Sequence, residues 1–222
     1  MTGILAERAR AVVAVELDRG LATSLREQFG GQGRIEVLQT DILTLDVAEL
    51  CRRYGVEQAF VFGNLPYYIT SPILHHLLEF SSALRGMALV VQREVAQRIA
   101  ARPGSRLYGY LSVLAQAYSK PAIVFHIPAG AFSPPPAVQS ALVSFEMTSL
   151  LAAWDENRRR QFLAFVKLGF ARKRKKLANN LAEVYAPTRV LEAFRRLGFG
   201  GNARAEELSV TDLARLFEAV KA

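Results

Sequence analysis

The nine residues Phe60-Val61-Phe62-Gly63-Asn64-Leu65-Pro66-Tyr67-Tyr68 constrain this chain more than any other stretch. An apolar run enters as a buried strand, and Gly63 and Pro66 punctuate its end. Thr70-Ser71-Pro72 then predicts a cap for a helix carrying Ile73, Leu74, Leu77 and Leu78. Strand, turn and helix in that order belong to an open α/β sheet, which binds its ligands beyond the carboxyl ends of its strands. Asn64, Leu65, Pro66 and Tyr67 stand at that position. An amide, a rigid turn and an aromatic ring suit a flat nitrogen heterocycle. Asn64 and a backbone carbonyl accept from an exocyclic amine, and Tyr67 stacks on the ring. An ordinary strand-to-helix loop with a buried tyrosine fits the same residues.

Upstream, Ala11 to Glu16 reads as a buried strand ending in a carboxylate, and Asp18 to Phe29 as a helix stopped by Gly30-Gly31. Arg34 to Gln39 is a second strand with Thr40-Asp41 at its end, and residues 44–54 are helical. Three strands alternating with helices predict a parallel, doubly wound sheet. Glu16 is placed to take both hydroxyls of a ribose, and Asp41 to accept from an adenine amine. A strand-end acid is as often a helix cap, yet Glu16, Asp41 and Asn64 on three successive strand ends together outline one crevice for a nucleoside. Such a sheet normally opens with a strand and a glycine-rich turn. Here ten residues precede the first strand, with Gly3 the only glycine among them, so the expectation is either a truncated chain or an incomplete donor pocket.

Beyond the crevice, Gly86 to Gln92 is a strand, Arg93 to Arg102 its helix, and residues 108–119 a further helix. Ala122 to Ile127 and Ala141 to Phe145 predict a closing pair of strands, antiparallel at the sheet edge. Between them, Phe132-Ser133-Pro134-Pro135-Pro136 is stiffened by three prolines. Phe132 is either presented at a fixed place or tucked into the core. His75, His76 and His126 lack metal-ligand spacing and are expected to be structural, so no metal is expected. Cys51, the only cysteine, excludes an internal disulfide and suits a reducing cytoplasm. No apolar run reaches the length of a membrane span.

Charge is unevenly placed. Residues 1–148 hold 13 Lys/Arg against 12 Asp/Glu, and residues 149–222 hold 15 against 8. The second part reads as all helix, with helices around 188–197 and 211–220, the latter capped by Ser209. From Arg158 to Lys176 there are nine basic residues and no acid. Arg158, Arg159, Arg160, Arg172, Lys173, Arg174, Lys175 and Lys176 are the candidates for phosphate contact. The expectation is an α/β domain over 1–148 and a small helical, RNA-facing domain over 149–222. An anionic membrane surface ranks second as the polyanion.

These residues resemble the ribosomal RNA adenine N6-dimethyltransferases of the KsgA type. The matching stretches are Val15-Glu16-Leu17-Asp18, Thr40-Asp41, Gly63 to Tyr67, Phe132 to Ser140, Phe170 to Leu181, and Arg204 to Ser209. They follow the family's order over essentially the whole chain, and Arg204 to Ser209 favours this branch over the macrolide-resistance methylases. The resemblance implies a Rossmann-like class I methyltransferase sheet with a small all-helical C-terminal domain. It implies S-adenosylmethionine as methyl donor, with Glu16 at its ribose and Asp41 at its adenine. Asn64, Leu65 and Pro66 would hold the target amine, with Tyr67 and Phe132 on the base faces. The substrate would be two adjacent adenosines near the 3′ end of 16S rRNA in the small ribosomal subunit, each methylated twice during ribosome biogenesis. A cytoplasmic monomer is expected. The family's opening Gly-x-Gly loop has no counterpart here, which leaves one rival expectation, a non-catalytic assembly factor that binds the small subunit.

Overall fold

The computed structural model describes residues 2–31, 33–148, 150–151, 153–172 and 175–221. The chain divides into two compact units, Met1–Gly55 and Val56–Ala222.

In the first unit, helix α1 (Thr2–Arg8) leads into strand β1 (Val12–Glu16), helix α2 (Arg19–Phe29), strand β2 (Ile35–Gln39) and helix α3 (Val47–Arg53). β1 and β2 pair in parallel, with Val12 beside Ile35 and Glu16 beside Gln39. Side-chain caps set the helix starts. Asp18 accepts from the Leu21 N–H at 2.8 Å, and Asp46 from the Glu49 N–H at 2.8 Å. The Tyr54 hydroxyl donates to Glu36, tying the end of α3 to β2. That bond, reinforced by Arg53, holds the Glu36 carboxyl below the usual carboxylate range. Cys51 is buried on α3.

In the second unit, strand β3 (Ala59–Asn64) and helix α4 (Thr70–Glu79) precede strand β4 (Leu84–Gln92), helix α5 (Arg93–Ile99) and helix α6 (Tyr110–Tyr118). Strands β5 (Ser119–Ile127) and β6 (Ser140–Met147) complete a four-stranded sheet of order β3-β4-β6-β5. β3 and β4 are parallel, whereas β6 runs antiparallel to both β4 and β5. The expected antiparallel closing pair is present, with β5 at the edge. The parallel strands form two pairs, β1–β2 and β3–β4. β5 begins earlier than expected and passes through Pro121, which an edge strand tolerates because one row of its backbone groups needs no partner. α5 ends at Ile99 rather than Arg102.

Thr70 does not cap α4 as expected. A 3₁₀ turn, Tyr67–Ile69, leads directly into the helix, Thr70 lies in its first turn, and no side chain caps it. The Thr70 hydroxyl instead donates to the Pro66 carbonyl at 3.1 Å.

Past β6 the described residues are helical or irregular: α7 (Glu156–Gly169), α8 (Leu177–Leu181), α9 (Pro187–Leu197) and α10 (Val210–Lys221). Gly198 closes α9 at φ +73°, a left-handed conformation that glycine adopts without a Cβ penalty. Ser209 caps α10 as expected. Its hydroxyl accepts from the Asp212 N–H at 3.1 Å, and the Asp212 carboxylate accepts from the Ser209 N–H at 3.2 Å. Phe162, Phe165 and Phe217 are buried and pack edge to face, with centroids 5.5–5.8 Å apart. Trp154 and Tyr185 extend this cluster. Removing the shared ring, Phe217→Ala, is expected to cost about 3–5 kcal/mol in denaturant unfolding, as for other buried phenylalanines. A loss below about 1 kcal/mol would show that the cluster does not hold these helices together.

Candidate functional site

The target-site candidates gather at one end of the four-stranded sheet. Asn64 is the last residue of β3 and lies beside Val90 of β4. The ladder continues one step further, since the Leu65 N–H donates to the Val90 carbonyl at 3.0 Å. Asn64 is exposed, and its side chain has no hydrogen-bond partner among the described residues. Leu65 is 9% exposed, so its side chain anchors the turn.

The carbonyls of the turn are not equivalent. That of Pro66 accepts from the Ile69 N–H at 3.2 Å and from Thr70 Oγ1 at 3.1 Å. That of Leu65 accepts from no donor among the described residues. Two acceptors are therefore available to a ligand, the Asn64 amide oxygen and the Leu65 carbonyl. Tyr67 is half-buried, and its hydroxyl meets Ser140 Oγ at 2.6 Å. Tyr68, its neighbour, is 83% exposed.

Phe132 sits on the connection from β5 to β6, which leaves and rejoins the sheet where Ile127 lies beside Ser140. Since Ser140 also lies beside Gln92 of β4, this loop emerges at the same sheet end as Asn64. Phe132 is half-buried after a 3₁₀ turn, Ala129–Ala131, and its N–H donates to the Ala129 carbonyl at 3.2 Å. Phe132 is thus not tucked wholly into the core, and its half-burial is compatible with a ring held at a fixed place. The return of the loop is clamped by Arg93 at the start of α5. Its N–H donates to the Gln139 carbonyl at 2.9 Å and its guanidinium to Gln139 Oε1 at 2.7 Å. Sequence reasoning assigned no role to Arg93, Gln139 or Ser140, and expected Thr70 only as part of a helix cap. Only the motif Gln139-Ser140 at the end of the proline loop marked their neighbourhood.

In the first unit, Glu16 and Asp41 close adjacent parallel strands. One oxygen of Glu16 accepts from the Asp18 N–H at 2.9 Å, and one of Asp41 from the Leu43 N–H at 2.9 Å. Asp41 thus caps the short 3₁₀ turn Ile42–Thr44. A carboxylate has about four acceptor sites, so each acid keeps an oxygen for a ribose or an adenine while the backbone bond fixes its orientation. These residues fit a nucleoside donor. Among the described residues, no group of three or more His, Cys, Asp and Glu is placed to hold a metal ion. His76 packs edge-on against Phe80 at 5.2 Å, and His75 lies 3.5 Å from Glu79.

The basic run needs a correction. Its acids come from outside the run: Arg158 pairs with Glu218, Arg160 with Glu156, and Arg172 with Glu183 at 2.8 Å. Arg159 donates to the Leu151 carbonyl at 3.2 Å. Lys175 and Lys176 are exposed and have no ion-pair partner among the described residues. Lys173 and Arg174 lie outside the described residues. The loop that carries these lysines is shaped from below by Asn180, 1% exposed. Its amide donates to the carbonyls of Gly169 at 2.7 Å and Arg172 at 3.3 Å, satisfying the end of α7.

This architecture is the Rossmann-like class I methyltransferase fold with a helical C-terminal part. It superposes on a crystal structure of the 23S rRNA methyltransferase ErmE with a TM-score of 0.72 at 28% identity, covering 100% of this chain and 86% of that one. A dimethyladenosine transferase from Plasmodium falciparum shares the fold, with a TM-score of 0.81 at 20% identity over 97% of this chain and 85% of that one. The family model of the ribosomal RNA adenine dimethylases matches residues 1–222, and the chain belongs to that enzyme family. It is 43% identical to ribosomal RNA small subunit methyltransferase A of Acidobacterium capsulatum, over 100% of this chain and 77% of that protein. It is 37% identical to the Koribacter versatilis protein of the same name, over 100% of this chain and 81% of that one.

The clamp on the Phe132 loop is open to test. Arg93→Ala is expected to speed amide hydrogen exchange in residues 128–139 while leaving the β4–β6 ladder protected. Unchanged exchange in that loop would mean that Gln139 is held without Arg93.

Proposed function

We propose that this chain dimethylates the N6 amines of two adjacent adenosines near the 3′ end of 16S rRNA, in the small ribosomal subunit, as a step of ribosome biogenesis. The observation that carries the site assignment is the pair of unengaged acceptors, Asn64 Oδ1 and the Leu65 carbonyl, beside the tethered Tyr67 ring. Membership of the dimethylase family supports the enzyme over the alternative of a non-catalytic assembly factor. The small-subunit substrate is supported by the name of the relatives at 37–43% identity.

The family's methyl donor, S-adenosylmethionine, supplies when bound a methyl group on a sulfonium centre. Glu16 takes its ribose hydroxyls and Asp41 its adenine amine, each with the oxygen its backbone bond leaves over. Asn64 and Leu65 accept the two hydrogens of the target amine, while the ring of Pro66 holds the turn rigid. An adenine amine is a poor nucleophile because its lone pair is delocalised into the ring. Acceptors that draw its hydrogens out of plane concentrate that lone pair on nitrogen. No strong base is needed, because the N6 proton becomes acidic as the nitrogen is alkylated, and water takes it. Tyr67 and Phe132 receive the target base after it leaves its stack, which costs a few kcal/mol that stacking on the two rings offsets. Catalysis is therefore mainly positioning and desolvation.

Residues 149–222 serve as the RNA-facing domain and residues 1–148 as the methyltransferase domain. Arg158, Arg159, Arg160, Arg172, Lys173, Arg174, Lys175 and Lys176 supply phosphate contacts. The ion pairs of Arg158, Arg160 and Arg172 are exposed and contribute little, so RNA phosphates can replace their carboxylate partners. The protein acts as a monomer in the cytoplasm. No helix among the described residues is long and apolar enough to cross a membrane.

Asn64→Ala is expected to lower methyl transfer to unmodified small subunits by at least about a hundredfold, with subunit binding retained. A folded variant that loses binding to the same extent would overturn the division between target site and RNA face. Lys175→Ala and Lys176→Ala should weaken RNA binding without sequence preference, each lowering the slope of log K against log salt by about one. An unchanged slope would remove these lysines from the phosphate-contacting set.

A further inference from the structure

We infer that Ser140 is a positioning residue, one that fixes the Tyr67 ring and thereby decides how efficiently the enzyme proceeds from monomethyl- to dimethyladenosine. This rests on Tyr67 being a wall of the target-base site.

Ser140 opens β6 and is 0% exposed. A buried hydroxyl is costly without a partner, and Tyr67 supplies one at 2.6 Å. The sheet register explains the meeting. Asn64 lies beside Val90, and Val90 beside Leu142; two residues on, Gln92 lies beside Ser140. Side chains two apart on a strand share a face, as do those directly opposite on neighbouring strands. Asn64, Val90, Gln92, Leu142 and Ser140 therefore share one face, and the Tyr67 hydroxyl reaches across β4 to its far neighbour. Gln139, the preceding residue, is clamped by Arg93, so the anchor is itself held. Without the Ser140 hydroxyl, a half-buried tyrosine ring keeps its stem but loses the contact that fixes its tip.

The two rounds of methylation depend unequally on that ring. In each round the N6 lone pair forms the new N–C bond as the S–C bond breaks, its electron pair remaining on sulfur, and one N6 proton passes to water. In the first round the amine offers two hydrogens, to Asn64 Oδ1 and to the Leu65 carbonyl. In the second it offers one. With half of its hydrogen-bond alignment gone, the methylated base is held in line chiefly by its contact with the rings. A loosened Tyr67 penalises the second transfer more than the first.

The test compares Ser140→Ala, Tyr67→Phe, the double variant and Tyr67→Ala on unmodified small subunits. First and second transfers are followed separately by nucleoside analysis. Each of the first two should lower kcat for the second transfer roughly three- to tenfold, the scale of one lost hydrogen bond. Monomethyladenosine should accumulate, with the KM for subunits unchanged. The double variant should match either single one, because all three lose the same bond. RNA with 2-aminopurine at the target position gives a readout without turnover: its stacking quench should weaken in Ser140→Ala as it does in Tyr67→Phe. Additive losses, or an unchanged mono- to dimethyl ratio in folded Ser140→Ala and Tyr67→Phe, would overturn the inference. If Ser140→Ala does not fold, Tyr67→Phe breaks the same bond from its half-buried partner and decides alone. If Tyr67→Ala keeps full activity, the assignment of Tyr67 to the target site fails instead.

Discussion

The register of β4 is the constraint on which the candidate target site depends. This strand pairs in parallel with β3 and antiparallel with β6, so it alone fixes how far Asn64 stands from Ser140. At about 4.8 Å per strand, those two residues lie on strands roughly 10 Å apart, a span a tyrosine side chain bridges from the turn. A one-residue slip between β4 and β6 would turn every β6 side chain to the opposite face. Ala141, Val143 and Phe145 are buried, whereas Glu146 is exposed. A slip would expose those three side chains and drive that carboxylate towards the core, and both costs oppose it. The same apolar burial that stabilises the sheet thus also sets the geometry of its polar end.

The helical part solves a different problem, keeping a dense positive charge folded and available. Three of its arginines are neutralised locally by Glu156, Glu183 and Glu218. These carboxylates relieve like-charge repulsion without burying any charge, so neither partner carries a desolvation penalty that would lock the pair. Beneath them, Phe162, Phe165 and Phe217 provide burial that no surface charge disturbs. Asn180 contributes from the interior by satisfying the carbonyls at the end of α7. Among the described residues of the basic run, Lys175 and Lys176 are exposed and carry no ion pair, which suits the proposed phosphate contacts.

Much of this was legible in the sequence. Strands β1 to β4 were all expected, three of them as apolar runs, as were α9 and α10, the latter with its Ser209 cap. The end position of Asn64 followed from Gly63 and Pro66. What the sequence could not show was pairing at a distance. The carboxylate partners of Arg158 and Arg172 lie 60 and 11 residues away, so a window that counts charge along the chain misses them. The Tyr67–Ser140 contact spans 73 residues and exists only once three strands are in register. Phe132 was undecidable for the same reason, since its half-burial is a property of the loop's neighbours and not of its own composition.

The helix start that departed from expectation is the most instructive of these differences. Thr-Ser-Pro normally predicts a cap, because a threonine hydroxyl satisfies an N–H at the first turn. Here Thr70 lies inside the helix and turns its hydroxyl the other way, onto the Pro66 carbonyl, which Ile69 already engages. Its α4 start has no side-chain cap, and what is gained in exchange is discrimination within the turn. With Pro66 doubly engaged and the Leu65 N–H bound to Val90, the Leu65 carbonyl is left as the backbone acceptor beside Asn64. In the proposed target site, an amine presenting two hydrogens would meet one amide oxygen and one carbonyl, with no third acceptor at the neighbouring carbonyl to draw it out of line. Such a local departure from helix-capping preference is expected where a turn serves a site, as the one proposed here does.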